Sequence, residues 1–437
     1  MADRTGRAVP SGRLARLARF GSLATGVAAN VVRQGAGQLV RGERPELGEL
    51  LLTPANVRRV TEQLARLRGA AMKLGQLVSM DGGDLLEPEL AEIMARLRAD
   101  AEPMPDAQLG QVLLAEWGPD WKAKLSAFDA KPIAAASIGQ VHRGRDKAGR
   151  NLAVKIQYPG VAQSIDSDVD NVATLLRMSG LVPKGLDIVP LLAEAKQQLR
   201  QEADYRREGA CLARFGVLLA GDDRFHVPGF LPELSTERIL AMTFAAGRPL
   251  EQLSLRPQEE RDRVAGQLLE LVLRELFEFG LMQTDPNLAN YRYNVDGGQV
   301  VLLDFGATRE LAPETVALYR DALRAALAAD RDAASDVLTR FGIFDDAMSP
   351  TYRDRVLDLF DFAVAELFGV PSFDFGESRL IAVGRDNILP LLKERTSFRA
   401  PPVDALFVNR KLAGTFLLAR RLRARVPLRT LVERFVR

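Results

Sequence analysis

The stretch "MQTDPNLANY" (residues 282–291) separates Asp285 from Asn290 by four residues, and "LLDFG" follows at 302–306. Asn290 and Asp304 are hard oxygen donors of the kind magnesium takes, and Asp285 is placed to orient or deprotonate an acceptor oxygen. Upstream, "LAVKIQ" sets Lys155 in an apolar run that reads as a strand, and "QEADYRREGA" sets Glu208 in a helical segment. Phosphoryl transfer from magnesium-bound ATP needs this inventory: a cation to align phosphates, an acid to hold that cation, oxygen ligands for the metal, and a group that orients the acceptor. Cys211 is the only cysteine and His142 and His226 the only histidines. Carboxylate and amide oxygens are therefore left to hold a metal, which favours magnesium over zinc.

Each piece has a plain alternative. A strand lysine is usually solvated, and an isolated Asp-Phe-Gly recurs by chance. Together and in this order, however, they match the way protein kinases hold a base and a metal. The match carries departures. Gln283 and Thr284 stand where such a kinase has His-Arg, and Asn287 where it has Lys. In place of a glycine-rich phosphate loop the chain reads "AAASIGQVH", with Ala134, Ala135, Ala136 and Ser137 and a single glycine, Gly139. Methyl groups restrict positive φ, so phosphates would be met by main-chain N–H groups and the Ser137 hydroxyl, as at a helix N-terminus. A buried alanine-rich turn is the competing reading.

These residues need elements to position them. "LSAFDAKPIAAASIGQVHRGRDKAGRNLAVKIQYPG" reads as strand, turn, strand, turning at Asp146 to Gly149, and "YRYNVDGGQVVLLDFG" as a hairpin bending at Asp296-Gly297-Gly298. Before them, Thr53 caps a helix with Pro54 in its first turn. Val57, Val60, Leu64, Leu67, Ala71, Leu74 and Val78 form its apolar seam, with Lys73 and Gln76 on a neighbouring face. Two more helices follow, through "EPELAEIMARLRAD" and "PMPDAQLGQVLLAEWG". The expected plan is α+β and predominantly helical, a two-lobed protein-kinase-like fold with an N-terminal helical extension. Its segments are a basic amphipathic stretch (1–50), the extension (51–127), a strand-containing lobe (128–246) and a helical lobe (247–437).

With 437 residues, 47% hydrophobic and 27% charged, the composition is that of an ordinary globular protein of several subdomains. A net charge of +2 argues against nucleic acid as a partner. A lone cysteine points to a reducing compartment, and no run of about 18 apolar residues predicts a membrane-spanning helix. The first 44 residues hold eight arginines and two acids, with Arg13, Arg16 and Arg19 opposite Leu14, Leu17 and Phe20. Such a helix suits an anionic membrane surface and equally a dock on the protein's own body. A mitochondrial transit peptide shares its composition.

The set "KLGQ" (73–76), "AAAS" (134–137), "LAVKIQYPGV" (152–161), "QEADYRREGA" (201–210), "MQTDPNLANY" and "LLDFGATRE" (302–310) resembles the UbiB-like family of atypical kinases. It is most similar to the coenzyme Q branch whose eukaryotic members work in mitochondria, and the resemblance runs nearly the whole chain. It implies that Lys73, on an extension folded over the active site, meets Glu202 and Asp204 while Glu208 pairs with Lys155. It implies an adenine-contacting linker at "LAMTFAAG" (240–247) using Met242 and Phe244, chiefly through main chain. Such a cover would exclude peptides, in keeping with the departures at Gln283, Thr284 and Asn287, and this disfavours a conventional protein kinase. The resemblance implies ATP hydrolysis, or phosphorylation of a small or lipid-like quinone precursor, in support of ubiquinone biosynthesis. ATP or ADP, Mg2+, an anionic membrane surface and quinone-biosynthesis proteins are the implied cofactors and partners. The C-terminus "RLRARVPLRTLVERFVR" lacks the two apolar helices of another branch, so the expected location is cytoplasmic, peripheral at the inner face of the cytoplasmic membrane. A nucleotide-dependent scaffold or lipid-precursor chaperone with little catalysis is the alternative.

Overall fold

The computed structural model describes residues 103–136, 138–179, 189–345, 348–394 and 403–436. Lys73 with its K-x-G-Q motif, Ser137 and the basic N-terminal stretch lie outside these described residues. The described chain divides into two compact units. One takes the residues up to Ala210 together with Gly229–Phe244, the other Cys211–Pro228 together with everything from Ala245 onward.

The first unit opens with α1 (Asp106–Trp117), preceded by Pro105 and ended by Gly118 at φ 84°. Its buried residues Leu109, Val112, Leu113 and Trp117 recur at helical spacing. They pack on β4 and β6 of an antiparallel sheet, against Leu152, Val154, Ile156, Ile239 and Ala241. Each such side chain contributes about 1.5–3 kcal/mol on burial, so α1 is part of this core. The sheet contains β1 (Leu125–Phe128), β2 (Ala134–Ala135), β3 (Gly139–Asp146) and β4 (Asn151–Gln157); after β5 (Phe225–His226), which belongs to the second unit, comes β6 (Ile239–Thr243). The order is β1-β3-β4-β6, with β2 also paired to β3. The expected turn joins β3 to β4 and needs Gly149 at φ 84°. Helices α2 (Val161–Ser179), α3 (Val189–Glu202) and α4 (Tyr205–Leu218) follow, and the unit boundary falls inside α4.

The second unit runs through β7 (Arg248–Pro249), α5 (Gln258–Arg274), a π-helical turn (Glu275–Phe279) and β8 (Leu281–Gln283). It continues with β9 (Tyr291–Asn294), β10 (Gln299–Leu302), β11 (Thr308–Glu310), α6 (Pro313–Ala328), α7 (Arg331–Arg340) and α8 (Pro350–Phe368). Last come β12 (Phe373–Asp374), α9 (Leu380–Glu394), α10 (Val403–Arg421), β13 (Arg425–Val426) and α11 (Leu428–Val436). The hairpin β9–β10 bends where the Asp-Gly-Gly triplet predicts, and β11 pairs with β8, so the strand entering the Asp285 loop lies beside the chain leaving Asp304. Under this loop Val272, Leu276, Met282, Tyr319, Ala405 and Val408 share one core. Where the sequence predicts only helix, β12 pairs with β13; two residues per strand are too few to show alternation. Among the described residues no helix is long and apolar enough to cross a membrane.

A buried polar chain braces β3. Met104 donates its N–H to Gln140 Oε1 (2.8 Å), and the Gln140 amide lies 2.8 Å from His142 Nε2. His142 Nδ1 lies 2.9 Å from the Asp129 carbonyl. With the amide oxygen already accepting, Gln140 must donate to Nε2, so His142 is neutral with its proton on Nδ1. Burial lowers its pKa from the usual 6.5. Well above pH 6.5 the ring is neutral whether the chain is folded or not. As pH falls below that value the unfolded chain takes up the proton first, so stability is lost. Denaturant titrations between pH 7.5 and 5.5 should show this fall, by no more than about 1.4 kcal/mol per pH unit, and His142→Gln should reduce its slope.

Candidate functional site

On β4 the alternation that sends Leu152, Val154 and Ile156 toward α1 sends Ala153 and Lys155 to the opposite face. There Lys155 stands in register with Val141 and Leu240, and Ala153 with Arg143 and Met242. Lys155 is 8% exposed and Glu208 1%. The ammonium donates to both carboxylate oxygens of Glu208 at 2.9 Å, and the Tyr205 ring lies 5.1 Å from it. Glu208 sits in the first turn of α4. Asp204 Oδ1 accepts the Arg207 N–H at 3.0 Å, which makes Asp204 the cap of that helix. Gln157, two residues past Lys155, donates to the Ala203 carbonyl (2.9 Å) and ties β4 to the α3–α4 junction. Glu202 is half-buried at the end of α3.

The alanine segment differs from both expectations. Ala134 and Ala135 form β2, paired with Val141 and Gln140, and the Ala136 N–H donates to the Gly139 carbonyl at 2.8 Å. It is the tip of a hairpin rather than a helix N-terminus, and Ala134 and Ala135 are exposed rather than buried. The sequence conceals this because two alanines carry no period. Gly139 serves close packing: a Cβ there would lie 2.4 Å from the Ile156 carbonyl oxygen and 2.8 Å from the Tyr205 hydroxyl. In the linker, Met242 is buried in β6, and the Phe244 N–H already donates to the Asn151 carbonyl at 2.8 Å. That donor is committed to the sheet, which leaves Phe244 its ring, stacked 4.1 Å from the Arg143 guanidinium.

In the second unit, Thr284 secures the entrance to the loop by donating its N–H (3.2 Å) and hydroxyl (2.8 Å) to the Ala307 carbonyl. Asn287 caps the turn Leu288–Asn290 through the Ala289 N–H. Asn290 Nδ2 donates to the Asp285 carbonyl at 3.2 Å, and the Leu303 N–H donates to the Asn290 carbonyl at 2.9 Å. The structure thus joins the Asp285 loop to the residue before Asp304. Asp304 Oδ1 accepts the Gly306 N–H (3.0 Å), and Phe305 is buried 4.8 Å from Phe215. This arrangement suits a hard cation: Asn290 spends its amide nitrogen on the loop and keeps its oxygen, with the Asp304 carboxylate close along the chain. Ala312-Pro313-Glu314 follows Gly306 after only five residues, three of them in β11. That leaves little chain for the segment protein kinases carry between those landmarks.

Two residues of α10 join the site without a local sequence signal. Arg410, whose side chain is 4% exposed, donates to Asp285 Oδ1 at 3.1 Å. Lys411 Nζ donates to Gln283 Oε1 (3.1 Å) and Tyr291 Oη (2.8 Å) and lies 3.4 Å from Glu275 Oε2. Burial pushes the Glu275 carboxyl up to about 7 against the pull of Lys411. Burial also acts to lower the pKa of Lys411, but Glu275 and Tyr291 outweigh it and leave it raised.

A family model described as the ABC1 atypical kinase-like domain matches residues 96–338. The chain belongs to that family. The rat protein named atypical kinase COQ8B, mitochondrial, is 41% identical over 98% of this chain and 81% of its own length. The Saccharomyces cerevisiae protein named atypical kinase COQ8, mitochondrial, is 38% identical over 96% of this chain and 83% of its own. A Mycobacterium tuberculosis protein solved with erythromycin shares the fold at 23% identity, with a TM-score of 0.59 covering 94% of this chain and 98% of that one. Family membership makes this chain an atypical kinase with a predominantly helical, kinase-like α+β fold. Both relatives' names say mitochondrial, so the expected cytoplasmic location finds no support in them.

A buried ion pair loses more from halving than from removal. Glu208→Gln should cost about 3 kcal/mol by removing the buried carboxylate charge that the Lys155 ammonium pairs with. The double variant Lys155→Met with Glu208→Leu should stay within about 1 kcal/mol of the parent in denaturant unfolding.

Proposed function

We propose that the protein binds magnesium-ATP and hydrolyses it, or transfers its γ-phosphoryl group to a small or lipid-like acceptor, in support of ubiquinone biosynthesis. The single observation that carries this reading is the buried pairing of Lys155 with Glu208, which fixes an ammonium on the strand where kinases use one. In this reading Lys155 neutralises nucleotide phosphates, and Met242 and the Phe244 ring flank the base. Ala134, Ala135, Ala136 and Ser137 line the phosphates through main chain and the one hydroxyl. Asn290 and Asp304 hold magnesium, which when bound neutralises charge on the phosphates. Asp285 orients the acceptor through Oδ2, because Oδ1 is engaged by Arg410.

The resemblance assigns Lys73 to Glu202 and Asp204, as part of a cover that keeps peptides out. Asp204 already accepts the Arg207 N–H through one oxygen as a helix cap, and its other oxygen suits that lysine. The short link from Gly306 to Ala312 supports a non-peptide acceptor. One observation favours the scaffold alternative: the exposed alanine hairpin offers phosphates less bare backbone than a glycine loop.

ATP turnover by the purified protein with magnesium, with and without anionic vesicles carrying a phenolic quinone-precursor analogue, separates the two. Turnover that rises with vesicles and drops at least about 100-fold in Asp285→Asn is the expected result. Tight nucleotide binding without turnover under any condition would leave the scaffold.

A further inference from the structure

The loop 284–290 is held by one face of α10. Along that helix Asp404 accepts the Ala312 N–H (3.2 Å), the Phe407 ring lies 3.8 Å from the Arg309 guanidinium, and Arg410 holds Asp285. One turn further, Gly414 meets Pro286 so closely that a Cβ would lie 2.2 Å from the proline Cβ. Between them Lys411, 1% exposed, reaches both ends of the loop. Gln283 is the last residue of β8 and Tyr291 the first of β9, and the same ammonium donates to both.

We propose that Lys411 is a positioning residue for the reaction, its ammonium stapling the strand before the Asp285 loop to the strand after it. Burying an ammonium is costly, and well-packed apolar side chains commonly serve stability as well. What apolar packing cannot supply is direction. Lys411 has three donors, and Gln283 Oε1, Tyr291 Oη and Glu275 Oε2 lie within reach of them. Among the described residues the Gln283 amide nitrogen has no partner, so the hydrogen bond from Lys411 is the one that orients that side chain. Glu275 sits in a π-helical turn, a device frequent at functional sites. Burial pushes the Glu275 carboxyl up to about 7 even beside Lys411, and without that charge it rises further, so the variant buries Glu275 protonated.

The proposal rests on reading Asp285 as the acceptor-orienting group, so its test carries a readout independent of turnover. In Lys411→Met, peptide-resolved hydrogen exchange should be about 10-fold faster at residues 284–291 and unchanged in α1 and the β3–β4 hairpin. Turnover should fall about 100-fold, with the KM for magnesium-ATP changed less than about twofold. Tyr291→Phe, which removes one acceptor of the ammonium and keeps the ring, should give the same local signature in weaker form. A wild type without turnover would count against the functional reading alone, because the exchange result still reads on the staple. Wild-type loop exchange in a folded Lys411→Met protein would overturn the proposal. So would faster exchange spread over the whole second unit, since Lys411 would then be merely structural. If Lys411→Met does not fold, wild-type loop exchange in Tyr291→Phe overturns it instead.

Discussion

An ammonium on the inner face of a β-sheet is tolerated only beside a carboxylate, and the first unit is organised around meeting that demand. Lys155 is placed by the strand period, but Glu208 must be brought to it by a helix from another part of the chain. Several small choices cooperate. Asp204 caps that helix so that Glu208 falls in its first turn, and Gln157 fastens the preceding junction to β4. Gly139 lets Tyr205 close on the strand, and Gly209 lets the helix lie against Phe230, where a Cβ would be 2.4 Å from the ring. The pair adds little net stability; its value is a charge held at a fixed point.

The second unit solves the matching problem for carboxylates. Where a protein kinase uses His-Arg and Lys within the loop, this chain uses Gln283, Thr284 and Asn287, and draws its positive charges from α10. Arg410 and Lys411 are consecutive, yet they serve different parts of the loop, one meeting the acid at its centre and the other its two flanking strands. The helix spacing of Asp404, Phe407, Arg410, Lys411 and Gly414 turns one face into a mould for the loop and for the chain that follows Asp304.

Much of this was legible in the sequence because it is local. The β3–β4 turn with its glycine, the β9–β10 hairpin and the periodic face of α1 are written in residue types a few positions apart. The order Lys155, Glu208, Asp285, Asn290, Asp304 was legible as a set. Two things were not. The alanine run carries no alternation, so its pairing as β2 with β3 appears only in the structure, and Gly139 looks like a remnant phosphate loop when it is a packing glycine. The contacts of Arg410 and Lys411 cross more than a hundred residues, and no spacing rule connects them to Asp285 or Gln283. Asp204 was legible as an acid of an E-x-D motif but not as a helix cap.

In the proposed function the Lys155–Glu208 pair exists to present a charge to nucleotide phosphates. Calorimetric titration of magnesium-ADP and magnesium-ATP into the wild type and into Lys155→Met with Glu208→Leu addresses it directly, because that double variant removes both charges of the pair together. The account predicts binding to the wild type and a loss of about 100-fold in affinity, roughly 2.7 kcal/mol, in a variant that is still folded. Equal affinity in the two proteins would contradict it.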